Sequence, residues 1–548
     1  MIRDEKKILI LIIILGVIIR IFPISGLNSG PISYNAGMTL SYASQEVGKI
    51  ICQFFGNCHS TEALSNYIPI AKDQPPLRYI ILHYFMHFGR QEFIIRFPSL
   101  LFGIASLFLI YQLGKVLFSA GVGLLSSFFL SLSLWHIHHS SYTEMYTLYT
   151  FTAMLSLFFF YKSIKEQTLT SLVLFIVSSA LAFYSFYPAV MIILAEFFWL
   201  IVFYRRNLNR IRKYLFAFAA IAILLLPGFI QAYSGLTWKA DYGDYFWGWR
   251  APEILPSLMA IFGGVRGFIP VNVFIFLLGC VGFLIRETER AKGILLFLAI
   301  FFPCLALVGC FFLRINITER YFLFIYPFFL IISAYGILGL RKKVFIILLV
   351  LLFNSSLFMF IFSKINFDTK KYIPNDYIRH YLDFKFLADF VKNNYKEGDI
   401  VIIEQYKGLL ATQYYLDKNN IFPVKIIKPG CGSHSYYRYD SDRIKNFFGL
   451  VEYQQNPKRL EKLWKENKRV LLIDLNHIHY NDSQGIIQKW IDINYSKKIK
   501  FSGGNIYLFD DELKKSFIDK KTYKCSKAVC FLGCQGKSRA ITYPFQRR

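Results

Sequence analysis

The sequence is poor in charged residues, which make up 18% of its 548 positions, and rich in hydrophobic ones, which make up 55%. A soluble protein of this size could not bury so much apolar sequence, so a soluble globular fold is excluded. Acidic residues are especially scarce, 35 against 62 basic ones. Much of the resulting charge of +27 lies in predicted cytoplasmic loops that face anionic lipid, and no nucleic-acid partner is expected.

Three further features are missing. There is no glycine-rich phosphate loop or dinucleotide-binding motif, so nothing indicates nucleotide binding. There is no visible internal repeat, which argues against a transporter built from inverted repeats. No small-residue cleavage site follows the first apolar run, so that run is predicted to be a retained helix and not a cleaved signal peptide.

Apolar runs of membrane-spanning length recur along the first two-thirds of the chain and predict about eleven transmembrane helices. They lie at 8–24, 97–117, 120–137, 145–161, 169–186, 188–204, 214–231, 270–285, 294–313, 321–340 and 344–362. Basic loops between them favour a cytoplasmic N-terminus in the cell inner (plasma) membrane, because lysine and arginine resist translocation. All of these basic loops lie on the cytoplasmic side only if the apolar run 75–93 does not cross the membrane. That run is therefore predicted to be an interfacial helix on the outer face, beginning at Pro75 and Pro76.

The chain divides into three predicted parts. Residues 1–363 form the transmembrane domain, with a long first outer loop at 26–96. Residues 364–512 have alternating helix and strand patterns, which predict an extracytoplasmic α/β domain, and 513–548 form a basic tail that contains cysteine. The predicted helices of the α/β domain are 385–395, 408–416 and 459–467, and its predicted strands are 398–403, 422–427, 469–475 and 505–509. The fold class is thus a polytopic α-helical membrane protein with a C-terminal extracytoplasmic α/β domain.

Ionisable side chains at a membrane face are costly, which makes them candidates for function. They fall at three places: Asp73 with Arg78; His136, His138 and His139 with Glu144; and Glu319 with Arg320. In the predicted topology all three places lie on the outer face. The sequence therefore predicts one site between the bilayer and the outer domain.

Each place also has an ordinary structural interpretation. Asp73 suits the N-cap of the interfacial helix, and Arg320 suits an anchor at a helix end. The three histidines could hold a metal, but successive side chains on a helix diverge by about 100°, so a hydrogen-bonding role is favoured. No metal ligands are assigned, and the need for a divalent metal is left open.

Four segments, in order along the chain, carry a resemblance to a known family. They are PPLRYIILHYFMHFG (75–89), RFPSLLFGIASLFLIYQLGKVLF (96–118), SLWHIHHSSYTEMYTLY (133–149) and ERYFLFIYPFFLIISAYGI (319–337). Over about residues 1–345 the chain resembles the polyprenyl-phosphate-sugar glycosyltransferases of the C-type fold. These membrane enzymes include the protein O-mannosyltransferase-like and aminoarabinose-transferase-like families.

The resemblance implies a sugar donor on a polyprenyl phosphate, membrane lipid as surroundings and no cofactor. The acceptor would be an extracytoplasmic lipid, glycan or protein. Its hydroxyl would attack the anomeric carbon while the lipid phosphate leaves. In the family a carboxylate in the first outer loop usually acts as general base, and basic residues stabilise the departing phosphate.

Three places depart from the family pattern. Tyr34 and Asn35 stand where an Asp-Glu pair is usual, so the usual base is absent. Gln74 stands where lysine or histidine is common, and Glu144 stands where arginine is common. Asp73 and Glu144 are therefore the candidate catalytic bases.

The other candidate residues are assigned to substrate binding. They are Tyr34, Asn35, Gln74, Arg78, Tyr146, Glu319, Arg320 and Tyr321. The hypothesis is an inner-membrane glycosyltransferase. A catalytically inactive homologue that binds lipid-linked sugar is the first alternative, and a lipid or solute transporter is the second.

Overall fold

The structure is a computed structural model, which describes most of the first 340 residues and separate stretches beyond them. The described residues are 2–24, 36–55, 75–205, 207–247, 269–312, 319–340, 342–344, 346–347, 384–395, 399–403, 411–412, 414–416, 425–427, 436–439, 447–450, 469–474, 486–495, 497–501 and 504–509.

The described part of the first 340 residues is helical. Its α-helices are α1 (Ile2–Ile24), α2 (Ala36–Ala43), α3 (Val47–Phe55), α4 (Leu77–Met86), α5 (Glu92–Leu117), α6 (Ala120–Leu132), α7 (Leu134–His139), α8 (Tyr146–Glu166), α9 (Leu169–Ser185), α10 (Val190–Tyr204), α11 (Leu208–Trp247), α12 (Ile269–Ile285), α13 (Glu287–Phe312) and α14 (Tyr326–Leu338). Short 3₁₀ helices precede α10 at Tyr187–Ala189 and α14 at Glu319–Ile325.

Several of these helices suit a membrane by length and composition. Four apolar segments of the described chain are long enough to cross one: Glu92–Leu117, Tyr187–Tyr204, Ile211–Tyr233 and Arg320–Leu338. Shorter apolar helices lie at Ala120–Leu132, Leu169–Ser185 and Asn272–Ile285. The predicted spans from 8–24 to 321–340 each overlap a helix, in order. Most of the predicted span 344–362 lies outside the described residues, so the total of about eleven stays a prediction.

The proline-led run forms a helix of its own. Helix α4 has ten residues, so it is about 15 Å long, half the thickness of a bilayer's hydrocarbon core. The helix ends before Gly89, whose φ is 140°. Glycine adopts this backbone angle readily, whereas a residue with a side chain would be strained there. Because the chain turns there before α5 begins, α4 cannot cross a bilayer alone. Its position on the outer leaflet stays a prediction.

Three predicted spans differ in detail from the helices. The third span is interrupted at Ser133, whose extended backbone ends α6 and whose side chain caps α7. The tenth begins as a 3₁₀ helix and becomes α-helical at Tyr326, followed by Pro327. Helix α11 runs on to Trp247, well beyond the end of the predicted span 214–231. The reason is that hydropathy marks where a run stops being apolar, whereas a helix can continue into water.

Beyond residue 383 the described chain contains a seven-stranded sheet. Its strands are β1 (Asp399–Ile403), β2 (Lys425–Ile427), β3 (Tyr436–Tyr439), β4 (Phe447–Leu450), β5 (Arg469–Asp474), β6 (Lys497–Phe501) and β7 (Gly504–Phe509). The order is β2-β3-β4-β1-β5-β7-β6, with β1 parallel to both of its neighbours and the other pairs antiparallel. Helices α15 (Phe384–Asn394) and α16 (Ile486–Asn494) accompany the sheet.

The four predicted strands are present, as is the helix predicted at 385–395. The helix predicted at 459–467 lies outside the described residues. Strands β3, β4 and β6 were not predicted. The sequence of β6 is KKIKF, in which three lysines hide the apolar alternation. Strand β6 lies at the edge of the described sheet, where lysine is common because it discourages pairing with other chains.

A pair of tyrosines joins the sheet-containing region to the helices. Tyr415 Oη donates to Glu92 Oε1 at 2.8 Å, and Tyr414 Oη donates to the Arg90 carbonyl. Burial raises the pKa of Tyr414, and the Glu92 carboxylate raises it further, which keeps the phenol protonated as a donor. Glu92 also forms an ion pair on α5, in which its Oε2 lies 3.7 Å from Arg96 Nη2. The sheet-containing region therefore contacts the start of α5, close to α4.

Candidate active site

Helix α4 carries a buried arginine. Arg78 is only 6% exposed. Its Nη1 donates to Tyr149 Oη at 2.7 Å, its Nη2 donates to Tyr79 Oη, and the guanidinium lies 4.5 Å from the centre of the Tyr79 ring. Arginine stays charged in proteins, so a full positive charge is held here among phenols.

The turn between α7 and α8 carries a buried acid. Glu144 is only 3% exposed, and the next residue, Met145, has a left-handed backbone with φ 52°. A non-glycine residue adopts that conformation only where its surroundings impose it. Helix α5 fixes this turn from both sides: Ser99 Oγ donates to the Tyr142 carbonyl, and Thr147 Oγ1 donates to the Ser99 carbonyl at 2.7 Å. The strained turn thus holds Glu144 at the start of α8.

The 3₁₀ helix before α14 supplies a second arginine. The Arg320 guanidinium lies 5.9 Å from the ring centre of Tyr146 and 5.8 Å from that of Tyr321. Both distances fit cation–π contacts. Glu319 belongs to the same 3₁₀ helix, but its side chain lies outside the described set.

Aromatic contacts connect the two arginines. Tyr146 and Tyr149 lie three residues apart on α8, with ring centres 5.5 Å apart. Tyr149 stacks on Phe186 at 4.7 Å, and Phe186 contacts Tyr321 at 5.8 Å. We call the resulting group the arginine–tyrosine cluster: Arg78, Tyr146, Tyr149, Arg320 and Tyr321. It draws on α4, α8 and the 3₁₀ helix, which are far apart in the sequence.

The cluster combines charges of both signs. The Glu144 carboxylate and the Arg320 guanidinium both act electrostatically on the Tyr146 phenol, and Arg78 acts on the phenol of Tyr149. Guanidinium groups are strong donors to phosphate oxygens, and a carboxylate can accept a proton from a hydroxyl. This arrangement can therefore bind an anionic phosphate and remove a proton beside it.

The structure brings together five of the predicted site residues: Arg78, Glu144, Tyr146, Arg320 and Tyr321. Of the other five, Tyr34, Asn35, Asp73 and Gln74 lie outside the described residues, and only the backbone of Glu319 is described. The roles of all of them stay predictions.

Sequence reasoning missed Tyr149 and Phe186. Tyr149 had a usable signal, because a spacing of three from Tyr146 places both phenols on one face of a helix. Phe186 had none, since nothing in an apolar run tells which phenylalanine stacks on a tyrosine. Among the described residues, no three His, Cys, Asp or Glu side chains are grouped so as to hold a metal ion.

Residues 73–230 match the family model described as dolichyl-phosphate-mannose-protein mannosyltransferase. This segment contains α4 and α8, with Arg78, Glu144, Tyr146 and Tyr149. No curated protein matches the chain by sequence.

Solved structures of two proteins resemble this chain over most of its length. The apo structure of ArnT from Cupriavidus metallidurans is 12% identical and covers 92% of this chain and 98% of that one, with a TM-score of 0.53. The same protein bound to undecaprenyl phosphate gives 11% identity, the same coverage and a TM-score of 0.51. The Archaeoglobus fulgidus oligosaccharyltransferase in complex with Zn and sulfate is 11% identical and covers 92% of this chain and 73% of that one, with a TM-score of 0.51. Together with the family match, these likenesses confirm the resemblance to C-type-fold glycosyltransferases that use polyprenyl-phosphate sugars.

Proposed function

We propose that this protein is a membrane glycosyltransferase that moves a sugar from a polyprenyl phosphate to an extracytoplasmic acceptor. The observation that carries the proposal is the arginine–tyrosine cluster with Glu144 beside it. Two cations and one acid meet there: Arg78 and Glu144 are buried, and Arg320 is partly buried. The family match over 73–230 includes most of this cluster and supports the same conclusion.

The topology belongs to the same proposal. The N-terminus lies in the cytoplasm, about eleven helices cross the inner (plasma) membrane, and the cluster opens toward the outer side. The transmembrane domain is 1–363, the α/β domain 364–512 lies outside the cytoplasm, and 513–548 is a tail. The contacts of Tyr414 and Tyr415 with the start of α5 support this arrangement, because they hold the sheet-containing region beside α4.

In the proposed reaction the acceptor hydroxyl attacks the anomeric carbon of the donor sugar. A new carbon–oxygen bond forms, and the bond from the anomeric carbon to the phosphate oxygen breaks. Glu144 takes the hydroxyl proton, and the lipid phosphate leaves with the bonding electron pair. Arg78 and Arg320 stabilise the charge that develops on the phosphate. Asp73 is the alternative base.

The experiment uses purified full-length protein with a panel of undecaprenyl-phosphate sugars and measures release of undecaprenyl phosphate. Glu144→Gln should lower turnover about a hundredfold or more, because a general base typically contributes that much. Its affinity for undecaprenyl phosphate should be kept. The exposed Glu287→Gln is the matched control and should keep full turnover. If Glu144→Gln and Asp73→Asn both keep full turnover, the assignment of the base is wrong.

A second candidate is a catalytically inactive homologue that binds lipid-linked sugar. Tyr34 and Asn35 favour it, since neither can serve as a carboxylate base. The same assay separates the two candidates. An inactive homologue binds undecaprenyl phosphate but releases none from any donor, whereas an enzyme turns over at least one donor.

A further inference from the structure

A buried arginine in α1 fixes the protonation of a histidine in α7. Arg20 is fully buried, and its five N–H groups have five acceptors. These are Ser140 Oγ, the carbonyls of Gly16, Ser131 and Leu130, and His136 Nδ1, which lies 2.8 Å from Nη2. Because a guanidinium only donates, His136 Nδ1 must accept. The histidine is therefore neutral and carries its proton on Nε2.

Two ring N–H groups of α7 are buried donors. Among the described residues, neither Trp135 Nε1 nor His136 Nε2 has a hydrogen-bond partner, although both side chains are more than nine-tenths buried. Neither ring can act as an acceptor here, since indole has no acceptor nitrogen and His136 Nδ1 is already occupied. Leaving buried donors unpaired is costly, which favours a ligand that offers acceptor oxygens.

Helix α7 lies against the arginine–tyrosine cluster. The Trp135 ring meets the ring of Tyr326 edge-on at 5.6 Å, and Tyr326 follows directly after the 3₁₀ helix that carries Arg320. His139, on the same short helix, has its ring centre 4.8 Å from that of Tyr146. The two donors are thus on an element that touches Tyr146, whose ring contacts Arg320, and Tyr326, which lies six residues after Arg320.

We propose that Trp135 Nε1 and His136 Nε2 bind phosphate oxygens of the lipid-linked donor, with Arg20 as the positioning residue that keeps His136 a donor. The inference rests on the proposed function. An ionised phosphate offers only acceptors and so suits two groups that only donate, whereas a sugar hydroxyl offers both. Arg20 adds a reason for an anion, because the partners of its charge among the described residues are all neutral.

The test measures binding of undecaprenyl phosphate to purified full-length protein. Trp135→Phe removes the N–H and keeps an aromatic ring against Tyr326, and affinity should fall about tenfold. Trp199→Phe is the matched control, because it removes a buried indole N–H that donates to the Ala291 carbonyl on another part of the molecule. It should lower the melting temperature and leave affinity unchanged. Should Trp135→Phe fail to fold, replacement of Trp135 by benzothienylalanine exchanges the N–H for sulfur within a ring of nearly the same shape.

A second probe identifies the bound group, and a second readout tests Arg20. Undecaprenol, which lacks the phosphate, should bind Trp135→Phe and the natural protein equally well. Solid-state NMR of labelled histidines should show an Nε2–H tautomer for His136, which Arg20→Gln converts to a mixture. Three results would overturn the inference. The first is an unchanged affinity of Trp135→Phe for undecaprenyl phosphate, and the second is an equal loss of affinity for undecaprenyl phosphate and for undecaprenol. The third is an Nδ1–H tautomer of His136 in the natural protein. If Arg320→Gln still abolishes phosphate binding in that case, the proposed function stands and only the α7 site is wrong.

Discussion

The two ends of the helical region hold their charged groups in opposite ways. At the end formed by the start of α1 and the close of α5, Lys115 Nζ lies 2.6 Å from Glu5 Oε1, and the lysine side chain is 44% exposed. At the other end Arg78 is only 6% exposed and is bonded to phenols. Both ends contain a cation beside a tyrosine, since Tyr111 also donates to Glu5. They differ in whether water reaches the charge.

This difference in exposure distinguishes charges that only stabilise a helix end from charges that belong to a ligand-binding site. An exposed ion pair contributes little to stability and costs little to keep. A guanidinium buried without water is costly, and such groups at membrane depth usually serve function. The buried end is therefore the one where substitutions should change ligand binding, and the exposed end should respond only in stability.

The largest expected contrast concerns affinity for undecaprenyl phosphate. Arg78→Gln should weaken binding about tenfold or more, because a hydrogen bond to a charged group is worth about 1.5–3 kcal/mol. Arg286→Gln removes a guanidinium at the opposite end, 3.5 Å from Tyr335 Oη, and should change affinity by less than about twofold. Isothermal titration with the purified variants measures both. Equal losses in the two variants would remove the distinction between the ends.

A smaller effect is expected from the phenol that holds Arg78. Tyr149→Phe keeps the ring on Phe186 but removes the acceptor of Arg78 Nη1, so the guanidinium is less well fixed. We expect about threefold weaker binding of undecaprenyl phosphate, the size of one neutral hydrogen bond. Tyr335→Phe is the control at the exposed end and should bind normally. A normal affinity for Tyr149→Phe would mean that the phenol does not position Arg78.

The smallest effect is expected at the exposed end and depends on pH. Hydrogen bonds from Lys115 and then Tyr111 lower the pKa of Glu5, which precedes the predicted span 8–24. A lowered folded-state pKa stabilises the protein above the ordinary glutamate range, and this contribution is lost as pH falls through the folded value. Glu5→Gln should thus lower the melting temperature slightly at pH 7, and the difference should shrink below the ordinary glutamate range and vanish once pH has fallen through the lowered folded-state pKa. A difference that persists in acid would point to packing instead of charge.

Much of the helical region was predictable because hydropathy is a local property. The runs at 97–117 and 145–161 became α5 and α8 with small changes at their ends. The predicted gathering of Arg78, Glu144 and Arg320 came from topology alone, since loops on one face of a membrane must lie near one another. The same reasoning could not predict which side chains contact one another. It also did not single out Arg20, which lies within the apolar run 8–24.

What the sequence determined by itself is which segments prefer an apolar environment and where polar groups interrupt them, because both follow from side-chain chemistry read a few residues at a time. Tertiary structure alone decided that Arg78 bonds Tyr149, 71 positions later, and that Arg20 bonds His136, 116 positions later. Such pairs depend on how helices pack against one another. A small rotation of one helix exchanges one partner for another without changing the hydropathy of either segment.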